Sequence, residues 1–208
     1  QVFDAARGAD VLAGVEEALR VSPELAPAAR LVSDEPRVRQ LLGAAFSGSP
    51  YLAALALRNP AFLADCLLRD PDLHLEEAGA ELSAAAEAAK SPKEIMAALR
   101  RYKRRIALLV GLADLGGIWP TEETLRAMSM AADKAVDQAV KFLFRRARAA
   151  GLEVVGAYHS HPNGPSGPSE IDRVRLNDPT MVHVIVSLAH GTRTVRAFRF
   201  SEGNFSQL

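Results

Sequence analysis

Two histidines and an aspartate stand at metal-ligand spacing in the run His159-Ser160-His161-Pro162-Asn163-Gly164-Pro165-Ser166-Gly167-Pro168-Ser169-Glu170-Ile171-Asp172. The preceding Glu153-Val154-Val155-Gly156-Ala157-Tyr158 reads as a buried strand. Residues two apart on a strand share a face, so His159 and His161 can grip one ion. The Asn-Gly-Pro-Ser-Gly-Pro stretch must turn, and it can carry Asp172 back to the imidazoles as a third ligand. Three ligands of mixed nitrogen and oxygen type leave a fourth tetrahedral position for water, the arrangement of a catalytic zinc. Such a water ionises near neutral pH and becomes a nucleophile. Cys66 is the only cysteine and lies far from the run, which argues against thiolate coordination and softer metals.

The same residues have plainer readings. Ser169-Glu170-Ile171-Asp172 is also a capping box, with serine at the N-cap and a short acid at the third position, opening a helix through Arg173-Val174-Arg175-Leu176. The two roles are compatible. An isolated His-x-His pair at a strand end would be read as bonded to backbone carbonyls. Here the proline, the glycine-rich turn, the serine and the aspartate all fall in register, and the metal reading is preferred. His74, His183 and His190 lack such partners and are read as structural or surface residues. Cys66 sits on an apolar helix face with no histidine at useful spacing, so it is read as a small buried side chain.

The His-Ser-His-Pro run, with Ser169 and Asp172 after it, resembles the metal signature of the MPN/JAMM metalloproteases. The resemblance covers residues 151–208, where Val182–Leu188 and Val195–Phe200 are similar to the closing strands of that domain. It implies that His159, His161 and Asp172 are zinc ligands and that Ser169 hydrogen-bonds the bound water or the developing oxyanion. It also implies hydrolysis of an isopeptide or peptide bond in the tail of a ubiquitin-like or sulfur-carrier protein. The family draws its general base, a glutamate, from an upstream segment, and the sequence offers no counterpart. Glu153 has the parity of His159, but six strand residues place it about 20 Å away. Glu170 lies on the wrong side of the motif, in the first turn of a helix.

Composition excludes several classes. The 208 residues suffice for one large or two small domains with a true core. Equal numbers of basic and acidic side chains, 25 of each, give no pull toward nucleic acid or an anionic membrane. One cysteine permits no internal disulfide, as in a reducing cytoplasm. No apolar run reaches the roughly 18 residues of a membrane span, and no export signal opens the chain. The chain is therefore expected to be cytoplasmic, with a trimmed start at Gln1.

Alanine usage divides the sequence at Gly151, with 34 alanines in residues 1–150 and 3 in 151–208. The first part reads as amphipathic helices at about 4–20, 35–44, 50–68, 75–89, 92–115 and 121–150, separated by prolines. Thr121 is expected to cap the last helix, and Gly151 to close it. After it come short β-branched and aromatic runs typical of strands. The expected class is α+β: an all-α region over residues 1–150, then a partial MPN/JAMM-like α/β region over 151–208.

Phe46-Ser47-Gly48-Ser49-Pro50-Tyr51-Leu52, Arg58-Asn59-Pro60, Leu99–Arg105 and Gly111-Leu112-Ala113-Asp114-Leu115 resemble the N-terminal helical segment of glutamine synthetase adenylyltransferases. That resemblance implies glutamine synthetase as a partner. The nucleotidyltransferase Gly-Ser loop and Asp-x-Asp pair of that family have no match after Gly151, where that domain would begin. Five cations between Arg100 and Arg105 look like a nucleic-acid patch. Helical spacing instead puts Arg100, Lys103 and Arg104 on a solvated face, with Ile95, Leu99, Ile106 and Leu109 buried. Asp133 and Asp137, near Lys134 and Lys141, read as surface charge. Tyr51, Trp119 and Phe142 read as core or helix-junction residues. Three functional readings follow: a zinc-dependent amide hydrolase, a non-catalytic module docking on glutamine synthetase or another partner, and a junction of two gene fragments.

Overall fold

The computed structural model describes residues 4–174, 178–189 and 193–208. Its architecture is α+β, with helices first and a mixed sheet last. Helices α1 (Ala5–Arg20), α2 (Ala26–Asp34), α3 (Pro36–Gly48), α4 (Pro50–Arg58), α5 (Pro60–Leu68), α6 (Pro71–Ala88), α7 (Pro92–Leu115) and α8 (Thr121–Ala149) precede strand β1 (Gly156–His161), helix α9 (Glu170–Val174), and strands β2 (Val182–Ser187), β3 (Thr194–Ser201) and β4 (Asn204–Gln207). The chain divides into two compact units, Gln1–Leu143 and Phe144–Leu208. No single helix among the described residues is long and apolar enough to cross a membrane.

Prolines punctuate the helical unit by starting helices as much as by ending them. Five helices open at Pro36, Pro50, Pro60, Pro71 and Pro92, where the missing N–H costs nothing because first-turn donors have no intrahelical partner. Ser49, Asn59, Asp70 and Ser91 stand just before four of them, and each side chain accepts a first-turn N–H. This rule corrects the expected boundaries. The single helix expected over 50–68 is two, because Asn59 is pushed out of the helical region before Pro60. The helix expected from residue 75 starts at Pro71. Ala26–Asp34, expected as connection, is helical, with Pro27 in its first turn. Thr121 lies inside α8, and the Pro120 carbonyl accepts the Thr124 N–H at 3.0 Å in its place. Gly151, at φ +70°, closes α8 while Leu152 N–H bonds back to the Ala147 carbonyl at 2.9 Å.

One continuous apolar core runs through this unit from Leu12 to Ala131, with Phe46, Leu63, Leu108 and Leu109 fully enclosed. Trp119 and Phe142 are buried as expected, whereas Tyr51 is 48% exposed on the first turn of α4. Proline at position 50 directs the chain so that Leu52, not Tyr51, faces inward. Arg100, Lys103 and Arg104 are exposed, and Asp137 bonds Lys141 at 2.8 Å.

The sheet has the order β1-β2-β3-β4, with β1 parallel to β2 and the other pairs antiparallel. The strand expected over Glu153–Tyr158 is displaced: β1 begins at Gly156 and holds both histidines within it. It is also half solvated, since β1 is an edge and Ala157 and Tyr158 are exposed. A Cβ on residue 156 would collide with the Val182 carbonyl oxygen, so glycine there allows the two strands to meet. Strand β4 is a short return after a turn with Gly203 at φ +80°, too brief to stand out in the sequence.

Candidate metal centre

Strand parity places His159 and His161 on one face of the sheet, opposite Ile185 and Ser187 in register. That face carries what burial the sheet has, for Ile185 and Phe198 are its enclosed side chains. Helix α9 returns over the imidazoles, so the turn through residues 162–169 does what its composition predicts. Ser187 Oγ donates to the Gly164 carbonyl at 2.7 Å and ties this turn to β2. At the other end of α9, the Arg173 guanidinium lies 5.9 Å above the Phe205 ring.

The ligand atoms converge. His159 Nε2 and His161 Nε2 are 3.1 Å apart. Asp172 Oδ1 lies 3.0 Å from His159 Nε2, and Oδ2 lies 3.3 Å from His161 Nε2. Zinc arms of about 2.0–2.2 Å put tetrahedral corners ~3.3–3.6 Å apart, so a few tenths of an ångström of opening would admit the ion. The tautomer favours it. His161 Nδ1 lies 2.8 Å from the Pro165 carbonyl, which only accepts, so the ring proton is on Nδ1 and Nε2 presents its lone pair inward. A lone pair aimed at a second imidazole nitrogen and a carboxylate is what a cation relieves.

Ser169 and Asp172 form the capping box. Asp172 Oδ2 accepts Ser169 N–H at 2.6 Å and the Ser169 hydroxyl at 2.7 Å, while Asp172 N–H bonds Ser169 Oγ at 3.2 Å. Burial by itself would raise the Asp172 carboxyl. The two bonds from Ser169, with the pull of the two imidazoles, outweigh that and hold it below the ordinary carboxylate value. Asp172 is thus an anion at neutral pH. In this arrangement the Ser169 proton is directed to the carboxylate.

The other residues singled out in the sequence lie elsewhere. Glu170 opens α9 beside the N-cap, and Glu153 precedes β1 outside any strand. Among the described residues, no further His, Cys, Asp or Glu joins the His159, His161 and Asp172 cluster. His74 is fully buried, edge-on to Phe62 at 5.7 Å, and His183 packs edge-on to Phe205 at 5.4 Å, both in structural settings. His190, Arg175 and Leu176 lie outside the described residues. Cys66 sits in an apolar setting that, with Asp65 nearby, pushes its thiol up to about 12. Two members of the centre escaped the sequence reading, Pro165 through its carbonyl and Ser187 through its hydroxyl. Ser187 has a signal, as a polar residue on the inward parity of an apolar strand.

The comparisons with known proteins point two ways. The bifunctional glutamine synthetase adenylyltransferase/adenylyl-removing enzyme of Rhodopseudomonas palustris strain HaA2 is 34% identical over 151 residues, covering 72% of this chain and 15% of that protein. Enzymes of the same description from Xanthobacter autotrophicus and Bradyrhizobium diazoefficiens are each 36% identical, over 70% and 65% of this chain and 16% and 13% of theirs. The chain therefore spans about one-seventh of the length of these curated relatives. No solved structure matches. The profile described as prokaryotic homologs of the JAB domain matches residues 76–201, beginning in α6, well upstream of the Gly151 composition break. That match takes in 126 of the 208 residues, and the chain belongs to this family of prokaryotic JAB-domain homologs.

Proposed function

We propose that the sheet unit is a zinc centre of the metallopeptidase type, acting on an amide bond in the tail of a ubiquitin-like or sulfur-carrier protein. The observation that carries this reading is the convergence of His159, His161 and Asp172, whose ligand atoms all lie within 4.8 Å of one another. A zinc ion bound there would supply Lewis acidity to a carbonyl oxygen and lower the pKa of a water. The chain's own residues prepare the site. The Pro165 carbonyl holds the His161 tautomer. Ser169 holds Asp172 charged and oriented, which makes it a positioning residue. Its expected contact with an oxyanion would require the hydroxyl to leave Asp172 Oδ2. The His159 side chain is 38% exposed, so the centre is open to solvent.

A second reading is supported by the adenylyltransferase relatives and by the lack, among the described residues, of a further carboxylate in the cluster. In it the chain is an interaction module, with glutamine synthetase as the partner and the metal held without turnover. Elemental analysis with a hydrolysis assay separates the two. Stoichiometric zinc, with cleavage of a ubiquitin-like fusion lost in His159→Ala and Asp172→Ala, supports the hydrolase. Zinc without cleavage, together with co-purification of glutamine synthetase, supports the module. Purified protein that binds no zinc at neutral pH would remove the metal from both.

A further inference from the structure

Helix α8 has two apolar faces and uses one. Thr124, Ala127, Ala131, Gln138 and Phe142 are buried. Leu125, Met128, Val136 and Leu143 are instead 59%, 54%, 64% and 59% exposed. With Ala132 and Ala139 between them, these residues step by three, four, four, three and four, which is the spacing of a helix-pairing seam. The seam forms one wall of a groove of about 920 Å³, and α7 forms the other through Leu99, Ile106 and Val110. Four large side chains left in water along nearly five turns, beside an apolar groove, mark an interaction surface.

The charges around the groove point to its occupant. The α7 wall carries Arg100 and Lys103. Beyond the seam, at about 80° to 140° from its centre, α8 carries Glu122, Arg126, Asp133 and Asp137, with Arg126 paired to Glu123 and Asp137 to Lys141, which leaves the edge net acidic. The bond from Thr124 Oγ1 to Asp114 Oδ1, 3.2 Å, fixes the relative level of the two antiparallel helices. Counting up α8 and down α7 from it brings Lys103 level with Ala135 and Arg100 level with Gln138. Asp133 and Asp137 bracket the level of Lys103, and Asp137 lies one residue from the level of Arg100.

We propose that the chain pairs with a second copy of itself through α8, the two helices parallel about a two-fold axis along their length. Seam then meets seam, with Ala132 and Ala139 permitting close approach. Each acidic edge turns to the partner's Arg100 and Lys103, and both grooves fill reciprocally as an isologous contact requires.

The test is the mass in solution, by light scattering and sedimentation equilibrium. The monomer is 22.3 kDa, and the expected mass is twice that. Val136→Asp places an unpaired charge in the seam and weakens association by at least about a hundredfold, with helical ellipticity unchanged because Val136 touches no core. Lys103→Glu weakens it a few-fold, and the double variant Lys103→Glu/Asp133→Lys restores it. A wild-type chain of monomer mass at the highest soluble concentration overturns the proposal, as does a dimer that survives Val136→Asp. If Lys103→Glu/Asp133→Lys associates no better than Lys103→Glu alone, the parallel arrangement is wrong. None of these readouts depends on metal.

Discussion

The helical unit and the sheet unit are held by different physics. The first encloses a large apolar core built from its first seven helices and the first turns of the eighth, with a small second cluster of Ala86, Ile95 and Phe142, and its polar bonds are helix caps together with surface ion pairs such as Arg39–Glu16 and Arg105–Glu81. The second encloses Ile185, Phe198, Ser166 and Ser187 and little else among its described residues, and its order comes from strand pairing and a polar cluster of His159, His161, Ser169 and Asp172. Where apolar burial is scarce, a bound ligand carries a larger share of stability. A centre that binds metal is therefore expected to be part of what folds the sheet.

Core truncation tests this contrast most severely. Phe46→Ala, at the middle of the large core, should cost about 3–5 kcal/mol, and Ile185→Ala about 2–5 kcal/mol. The helical unit is expected to absorb its loss and still melt cooperatively by circular dichroism. The sheet has no second enclosed cluster among its described residues to fall back on, so Ile185→Ala should abolish protection of β2 amides in hydrogen exchange. Equal tolerance in both units would break the contrast.

Metal comes next in size. Zinc at a hundredfold excess over its dissociation constant should stabilise the sheet by about 2.7 kcal/mol, slowing exchange of β1 and β2 amides while leaving α7 amides unchanged. His159→Ala should remove the effect. Ser169→Ala should cost about 1 kcal/mol through the lost cap and weaken zinc roughly 10- to 100-fold, as titration calorimetry would read.

Acid sharpens the comparison further. The folded Asp172 carboxyl lies below its unfolded value of about 3.9, so its contribution is present above that pH and is lost as pH falls through the folded value. Metal-free sheet should therefore loosen on the acid side of about pH 4, and Asp172→Asn should flatten that limb. The smallest expected effect concerns Cys66. Its thiol, pushed up to about 12, should react with alkylating reagents far more slowly at about pH 8 than the same thiol in denaturant.

The two units also differed in how legible they were. Helical periodicity located α1, α7 and α8 to within a residue or two, because a long amphipathic stripe repeats its signal. The breaks at Asn59-Pro60 and before Pro71 were harder to place, since proline both ends one helix and starts the next. In the sheet, the metal-ligand pattern stood out where the strand boundaries did not. The stretch Glu153–Val155 has strand composition, but pairing with Val182 begins only where Gly156 allows close approach. Pro165 could not be recognised as part of the centre, because it contributes a backbone carbonyl and its side chain carries no chemical signal.

Residue types and spacing alone determined that the chain has a helical part and a strand part, and which three side chains are candidates for one ion. Those are local properties, set by periodicity, turn chemistry and the few residues able to ligate a metal. Tertiary structure decided that Ser169 directs its proton to Asp172, that His161 presents Nε2, and that α8 keeps a second apolar face in water. Each of these depends on which group lies opposite across the fold, and an opposing group is fixed by packing, not by distance along the chain.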